Sequence, residues 1–342
     1  MKGIGWQVAS RARPTLAVLG ELCRAGAPID AQDKAACDAI LARGSKSFHA
    51  AGRLLPPRLR ASVTAFYAFC READDAIDEC GPGEMDGAVA GLRERLDRVF
   101  AAQLLRGPVD RALARVVAHH AVPRALVDAL IEGFLWDAQR RRYDTLSGVF
   151  DYSARVAGAV GVIMSLLMDR REPHTLARAA DLGVAMQLTN IARDVGADAR
   201  MGRVYLPLQW LLGAGVDPDE WVRDPSVSPR IGGVIARLLD ESDRLYLRAD
   251  GGIGALPIDC RPAIAAARLL YADIGREIRE AAYDSISTRH HTSGWRKLAL
   301  CARATQRLWS NAPADSAPPL AETRFLVEAV HRQQQRVVGQ PS

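Results

Sequence analysis

Long apolar runs are missing from this 342-residue chain. The longest near-continuous one covers residues 156–168, which suits a buried helix and falls short of the roughly twenty residues that span a bilayer. Residues 15–22 are too few for the apolar region of a secretory signal and include Glu21. Paired cysteines are missing too. The six (Cys23, Cys37, Cys70, Cys80, Cys260, Cys301) are scattered without a Cys-x-x-Cys, which excludes a disulfide framework or a zinc knuckle. A reducing, cytoplasmic setting is the expectation. Charge of one sign is not in excess: 45 basic against 40 acidic residues leaves +5, too little to suggest nucleic-acid binding. No Gly-x-Gly-x-x-Gly or other nucleotide fingerprint occurs, so no nucleotide cofactor is expected. No stretch alternates apolar and polar residues long enough for a strand.

What is present is helical periodicity almost throughout. The spacing predicts helices over 33–53, 58–79, 87–105, 110–119, 124–140, 150–168, 175–196, 229–248, 261–287 and 294–309. Short Pro- and Gly-containing breakers separate them. An Ala- and Pro-rich stretch, 311–320, precedes a short terminal helix, 321–337. The reading is one all-α helical bundle over 20–310, with a mobile segment 1–19 before it and a linker plus helix, 311–342, after it.

Two helices carry the chemistry. In Tyr67-Ala-Phe-Cys-Arg71-Glu-Ala-Asp74-Asp75-Ala-Ile-Asp78, the four-residue spacing puts Asp74 and Asp78 on one face with Arg71 and Tyr67. In Gln187-Leu-Thr-Asn190-Ile-Ala-Arg193-Asp194-Val-Gly-Ala-Asp198, the residues Gln187, Asn190, Asp194 and Asp198 share a face. The pairs alone mean nothing. With 27 Asp in the chain, about two Asp-x-x-x-Asp pairs arise by chance, and two occur. Their setting changes the reading, because both lie in otherwise apolar helices with amides or a phenol beside them. Facing acidic helices in a partly buried cleft are unfavourable unless a cation lies between them. Oxygen donors without His or Cys favour Mg²⁺, or Mn²⁺, shared with substrate phosphates. Arg71 and Arg193 are placed to grip phosphate oxygens.

These segments resemble the phytoene/squalene synthase family, and within it the bacterial carotenoid-forming branch. The likeness runs from about Gly44 to Arg289. It rests on Gly44-Ser-Lys-Ser-Phe48, the two aspartate-rich motifs, Tyr152-Ser-Ala-Arg-Val156-Ala-Gly-Ala-Val-Gly161, and Gly202-Arg-Val-Tyr-Leu-Pro207. Two motifs depart from the family pattern: Ser153-Ala154 stands where Cys-Tyr is common, and Ala197 where Glu is common. The resemblance implies an isoprenoid-synthase-type bundle with a central cavity. It implies Mg²⁺-dependent head-to-head condensation of two geranylgeranyl diphosphates, through prephytoene diphosphate, to phytoene. Asp74, Asp78, Asn190, Asp194 and Asp198 would then hold metal and diphosphate. Arg71, Arg193, Lys46 and Arg289 would bind diphosphate oxygens, and Phe48, Tyr67, Tyr152, Gln187 and Tyr271 would line the reacting centre and prenyl path. The expected partners are two prenyl diphosphates, with peripheral contact at the cytoplasmic face of a membrane and handover to a phytoene desaturase.

The alternatives are a squalene or dehydrosqualene synthase using farnesyl diphosphate, a head-to-tail prenyltransferase or terpene cyclase, and a non-catalytic assembly factor. The Asn190/Asp194/Asp198 spacing speaks against the prenyltransferase and the cyclase, and the retained aspartates against the assembly factor. The remaining features read blandly: His119-His120, His290-His291 and Arg140-Arg141-Arg142 as solvated surface, and the Trp and Cys residues as core or incidental. Gly158 and Gly161 read equally as close helix packing and as a smooth wall for a prenyl chain.

Overall fold

The computed structural model describes residues 29–43, 54–80, 84–306 and 316–338, the side chain of Asp78 excepted. Among them every regular element is helical. The order is α1 (Ala31–Arg43), α2 (Pro57–Asp78), α3 (Met85–Ala101), α4 (Pro108–His119), α5 (Arg124–Ala138), α6 (Leu146–Ser153), α7 (Ala159–Leu167), α8 (Pro173–Arg200), α9 (Leu208–Gly213), α10 (Pro218–Arg223), α11 (Pro229–Ile253), α12 (Arg261–Glu280), α13 (Gly294–Gln306) and α14 (Arg324–Val338). The expected boundaries hold to within a few residues in most elements. Pro57, Pro108 and Pro173 are first-turn residues of their helices, where the missing N–H costs nothing.

α6 and α7 are one helix, joined by a wide π turn over Ala154–Gly158. This 22-residue helix, Leu146–Leu167, starts earlier than its apolar run suggests, because Thr145 caps it through the Gly148 N–H. By length and composition it could cross a membrane, yet 61% of its apolar window is buried inside the protein. It lies between α5, α8 and α14, so its continuous apolarity reflects neighbours on several sides.

α8 is the axis of the bundle. It packs on α7, α11, α12 and the π turn. Gly161 and Gly183 set how close these backbones come. A Cβ on Gly161 would lie 2.2 Å from the Ala179 carbonyl oxygen, and one on Gly183 would lie 2.2 Å from that of Ala157. Gly158 is looser, its nearest neighbour being Leu326 at 3.4 Å. The terminal helix α14 is docked on this pair, with Leu326 and Val330 fully buried against α5, α7 and α8.

One surface assignment is corrected. His120 is buried, 5% exposed, with Nε2 3.1 Å from Ser62 Oγ. Its position after the last turn of α4 turns it inward under α2, which a His-His pair in the sequence does not reveal. Arg140 and Arg141 are exposed as expected; Arg141 stacks 3.9 Å from the centre of the Trp136 ring, and Arg142 pairs with Asp219. Trp136 and Trp221 are core, but Trp295 is 84% exposed. Burial pushes the His120 imidazole down to about 4, helped by His119 and Arg171 and opposed by Asp169. His120 is therefore neutral when folded and takes up a proton when unfolded between that value and the free imidazole range. Stability should be complete above about pH 6.5 and fall by on the order of 3 kcal/mol as pH drops toward 4. Urea unfolding of His120→Gln against pH should show a flatter acid limb than the parent; equal slopes would contradict the assignment.

Candidate active site

The site grows from one face of α8. From its first turn upward, that face carries Thr175, Arg178, Ala179, Leu182, Gly183, Met186, Gln187 and Asn190, then Asp194 and Asp198. The spacing of three and four keeps these on one stripe. The lower part lines an apolar tunnel of about 320 Å³, within the size range of small-molecule sites. Its other walls are the π turn and α7, the end of α11, and the Ala263–Tyr271 stretch of α12. The tunnel meets a wide polar mouth of about 1050 Å³, whose walls include Tyr67, Arg71 and Asp75 from α2, Arg193 from α8, and Arg289. Asn190 and Tyr271 line both spaces, so they mark the junction.

The mouth is a field of paired charges. The Asp194 carboxylate accepts from Arg193 Nε at 2.9 Å and from Arg289 Nε and Nη2 at 2.7 and 3.1 Å. Burial alone would raise its pKa, but hydrogen bonds from Arg193 and Arg289 outweigh this and hold it below the usual carboxylate range. Asp198, one turn on, is pushed up to about 7 by burial and by the charge of Asp194, with Arg203 opposing. On α2, Arg71 Nε donates to Asp75 at 3.1 Å and Arg71 Nη1 lies 3.8 Å from Asp74.

Arg289 arrives from far along the chain. The Gly196 N–H donates to the Ser285 carbonyl at 3.0 Å, and a Cβ on Gly196 would sit 2.5 Å from the Ile286 Cα. Glycine at 196 thus lets the 285–289 segment lie flat on α8 and bring Arg289 to Asp194.

No cluster of three His, Cys, Asp or Glu is pre-assembled among the described residues. The donors nevertheless fit a divalent cation that prefers oxygen. The Asn190 Oδ1 atom is buried with no hydrogen-bond partner, and the Asp194/Asp198 pair above it repel one another. Such a cation would complete its shell with phosphate oxygens.

The squalene/phytoene synthase family model matches residues 41–296. The chain belongs to that family. Similar members include the phytoene synthases of Cereibacter sphaeroides and Rhodobacter capsulatus, each 49% identical. The first alignment covers 89% of both chains, and the second covers 88% of this chain and 91% of the relative. Among solved structures, a dehydrosqualene synthase is 31% identical with a TM-score of 0.73, over 81% of this chain and 96% of that one. A squalene synthase from Alicyclobacillus acidocaldarius is 25% identical with a TM-score of 0.69, over 78% and 98%. The bundle is the isoprenoid synthase fold of these squalene and dehydrosqualene synthases. Members of the family act on prenyl diphosphates.

Within this family site, the structure brings together Tyr67, Arg71, Gln187, Asn190, Arg193, Asp194, Tyr271 and Arg289 at the mouth and junction. Asp198 follows one turn above Asp194, and Asp74 sits beside Arg71. Asp78 ends α2; Lys46 and Phe48 lie outside the described residues. Tyr152 is placed differently from expectation, since it lines neither space. Its hydroxyl donates to Asp137 at 2.9 Å, and its ring stacks on Tyr205, whose own hydroxyl donates to Asp137 at 2.6 Å. This cluster stands behind Asp198, whose carboxyl feels Asp137. Among the site residues that escaped the sequence reading are Glu72 and Asp75 beside Arg71, His290 and His291, which line the mouth although they read as plain surface, and Asp137, which no local pattern marks.

Proposed function

We propose that this chain is a phytoene synthase, joining two geranylgeranyl diphosphates head to head to form phytoene and release two diphosphates. The observation that carries the reading is the junction at Asn190 and Tyr271, where an apolar tunnel opens onto guanidiniums and carboxylates. A prenyl diphosphate has this polarity along its length. The choice of phytoene over squalene is supported by the phytoene synthases that are 49% identical over most of the chain.

Asn190, Asp194 and Asp198 would hold Mg²⁺, or Mn²⁺, together with Asp74 and Asp78 of α2. The bound ion would supply Lewis-acid stabilisation of the departing diphosphate. The chain's own part is an exchange of partners. Arg193 and Arg289, which now hold Asp194, would turn to the phosphate oxygens and leave that carboxylate available as a ligand. Arg71 does likewise from α2. Loss of diphosphate leaves an allylic cation at the junction, below the mouth and above a tunnel whose walls are mostly aliphatic beneath Gln187, Asn190 and Tyr271. Tyr271 and Tyr67 line the place where that cation forms, where aromatic rings can stabilise it, and the mostly apolar tunnel walls keep water from quenching it. The cation joins the second chain with loss of a proton to give prephytoene diphosphate. A second ionisation, rearrangement and proton loss complete phytoene, so the balance requires no reductant.

Purified protein incubated with Mg²⁺ and geranylgeranyl diphosphate should release phytoene whether or not NADPH is added. Asp194→Asn should lower turnover by about two orders of magnitude or more with helicity retained. Product from farnesyl but not from geranylgeranyl diphosphate would contradict the substrate assignment.

The product is an insoluble hydrocarbon, and peripheral contact with a membrane on its cytoplasmic face, with handover to a desaturase there, belongs to the same proposal. The exposed side of α13 suits it: Trp295 is 84% and Leu298 63% exposed, beside Lys297 and Arg303. The protein should float with anionic liposomes at low salt, and Trp295→Ala with Leu298→Ala should weaken this; no flotation of the parent would count against it.

A further inference from the structure

The tunnel has a floor of a different chemistry from its walls. At its lower end it is lined by Ser165, Thr175 and Arg178, amid otherwise aliphatic side chains. The Ser165 hydroxyl is buried with no hydrogen-bond partner, and Thr175 is 1% exposed. Arg178 is 2% exposed and belongs to a buried ion network. Its Nη2 lies 3.0 Å from Asp181 Oδ2, which Arg248 Nε also meets at 2.9 Å, and Arg248 Nη2 donates to the Pro318 carbonyl at 2.8 Å. The stem of Arg178 passes so close to α11 that a Cβ on Gly252 would be 2.3 Å from Arg178 Cβ. The floor is therefore both rigid and polar. Hydrocarbon pushed onto it would cover hydroxyl and guanidinium groups without offering a hydrogen bond, which is unfavourable.

The depth of the tunnel can be read from α8. Fifteen residues separate Asn190 at the junction from Thr175 at the floor, which is about 22 Å along the helix. An extended chain gains about 1.2 Å per bond. A geranylgeranyl chain, with fifteen bonds along its backbone, then reaches about 18 Å, a farnesyl chain about 13 Å, and a five-isoprene chain about 23 Å. The tunnel takes the first two with room to spare, whereas the third reaches the polar floor. One turn above the floor stands Ala179, whose small side chain faces the lumen about 16 Å from Asn190 along the axis. That distance falls between the two shorter chains.

We propose that Ala179 and the polar floor beneath it set the prenyl length this enzyme accepts, Ala179 by leaving the last turn of tunnel open and the floor by ending it. This rests on the phytoene synthase reading above. A larger side chain at 179 would project into existing space rather than into packed core, so it shortens the tunnel with little strain on the bundle.

The test measures kcat/KM for farnesyl and geranylgeranyl diphosphates on the parent, Ala179→Val, Ala179→Leu and Ala179→Phe. The ratio of farnesyl to geranylgeranyl should rise stepwise with side-chain size and by at least tenfold in Ala179→Phe, with farnesyl turnover retained. If the Phe variant does not fold, the Val and Leu steps still carry the trend. Thr175→Val, which removes one hydroxyl from the floor with little change of shape, should raise the kcat/KM ratio of five-isoprene to geranylgeranyl diphosphate severalfold. An unchanged ratio across folded 179 variants, or equal loss on both substrates, would overturn the inference. A parent inactive on both diphosphates would instead overturn the functional reading on which it rests.

Discussion

The contact of two helix backbones at Gly161 and Gly183 is the constraint on which the site depends. Each glycine faces a carbonyl oxygen of the other helix so closely that a methyl group would lie 2.2 Å from it. With the backbones at this distance, the π turn and α7 form one wall of the tunnel and α8 the other. A side chain at either position would drive the walls apart and would also unseat α14, which packs on both helices. Close packing and a smooth tunnel wall are thus two consequences of one contact at Gly161, which lines the lumen as well.

The second organising fact is that α8 changes character along a single face. Its lower turns face hydrocarbon space, its middle carries the amides of Gln187 and Asn190, and its upper turns carry Asp194 and Asp198. A molecule with an apolar tail and an anionic head is matched by one helix of 28 residues. The carboxylates do not stand as free acids. Asp194 is held by two guanidiniums, and Asp198 sits high in pKa beside it. The charges that would meet a diphosphate and a cation are already arranged, stored as internal ion pairs.

Helical periodicity made much of this legible. The face shared by Gln187, Asn190 and Asp194 follows from spacing alone, and Asp198 falls on it although the expected helix end stopped short at 196. What the sequence could not show was long-range or fine-grained. Arg289 reaches Asp194 only because Gly196 lets a segment ninety residues later lie on α8. Tyr152 points to Asp137 rather than to the tunnel, a choice made by burial of its ring against Tyr205. The π turn arises from tertiary packing, and α9 and α10 are six residues each, too short for a periodic signal. His120 looked like surface because one helix turn decides which way it faces.

The central claim is that tail and head of a prenyl diphosphate lie along α8, with Asp194 exchanging its guanidiniums for a metal ion. Crystals grown with Mn²⁺ and an unreactive geranylgeranyl thiodiphosphate, measured at the manganese absorption edge, test it most directly. The account predicts anomalous density against Asn190, Asp194 and Asp198, Arg289 moved from Asp194 to a phosphate oxygen, and the prenyl chain running down toward Thr175. Manganese bound elsewhere with Arg289 still on Asp194, or a prenyl chain outside the tunnel, would contradict it.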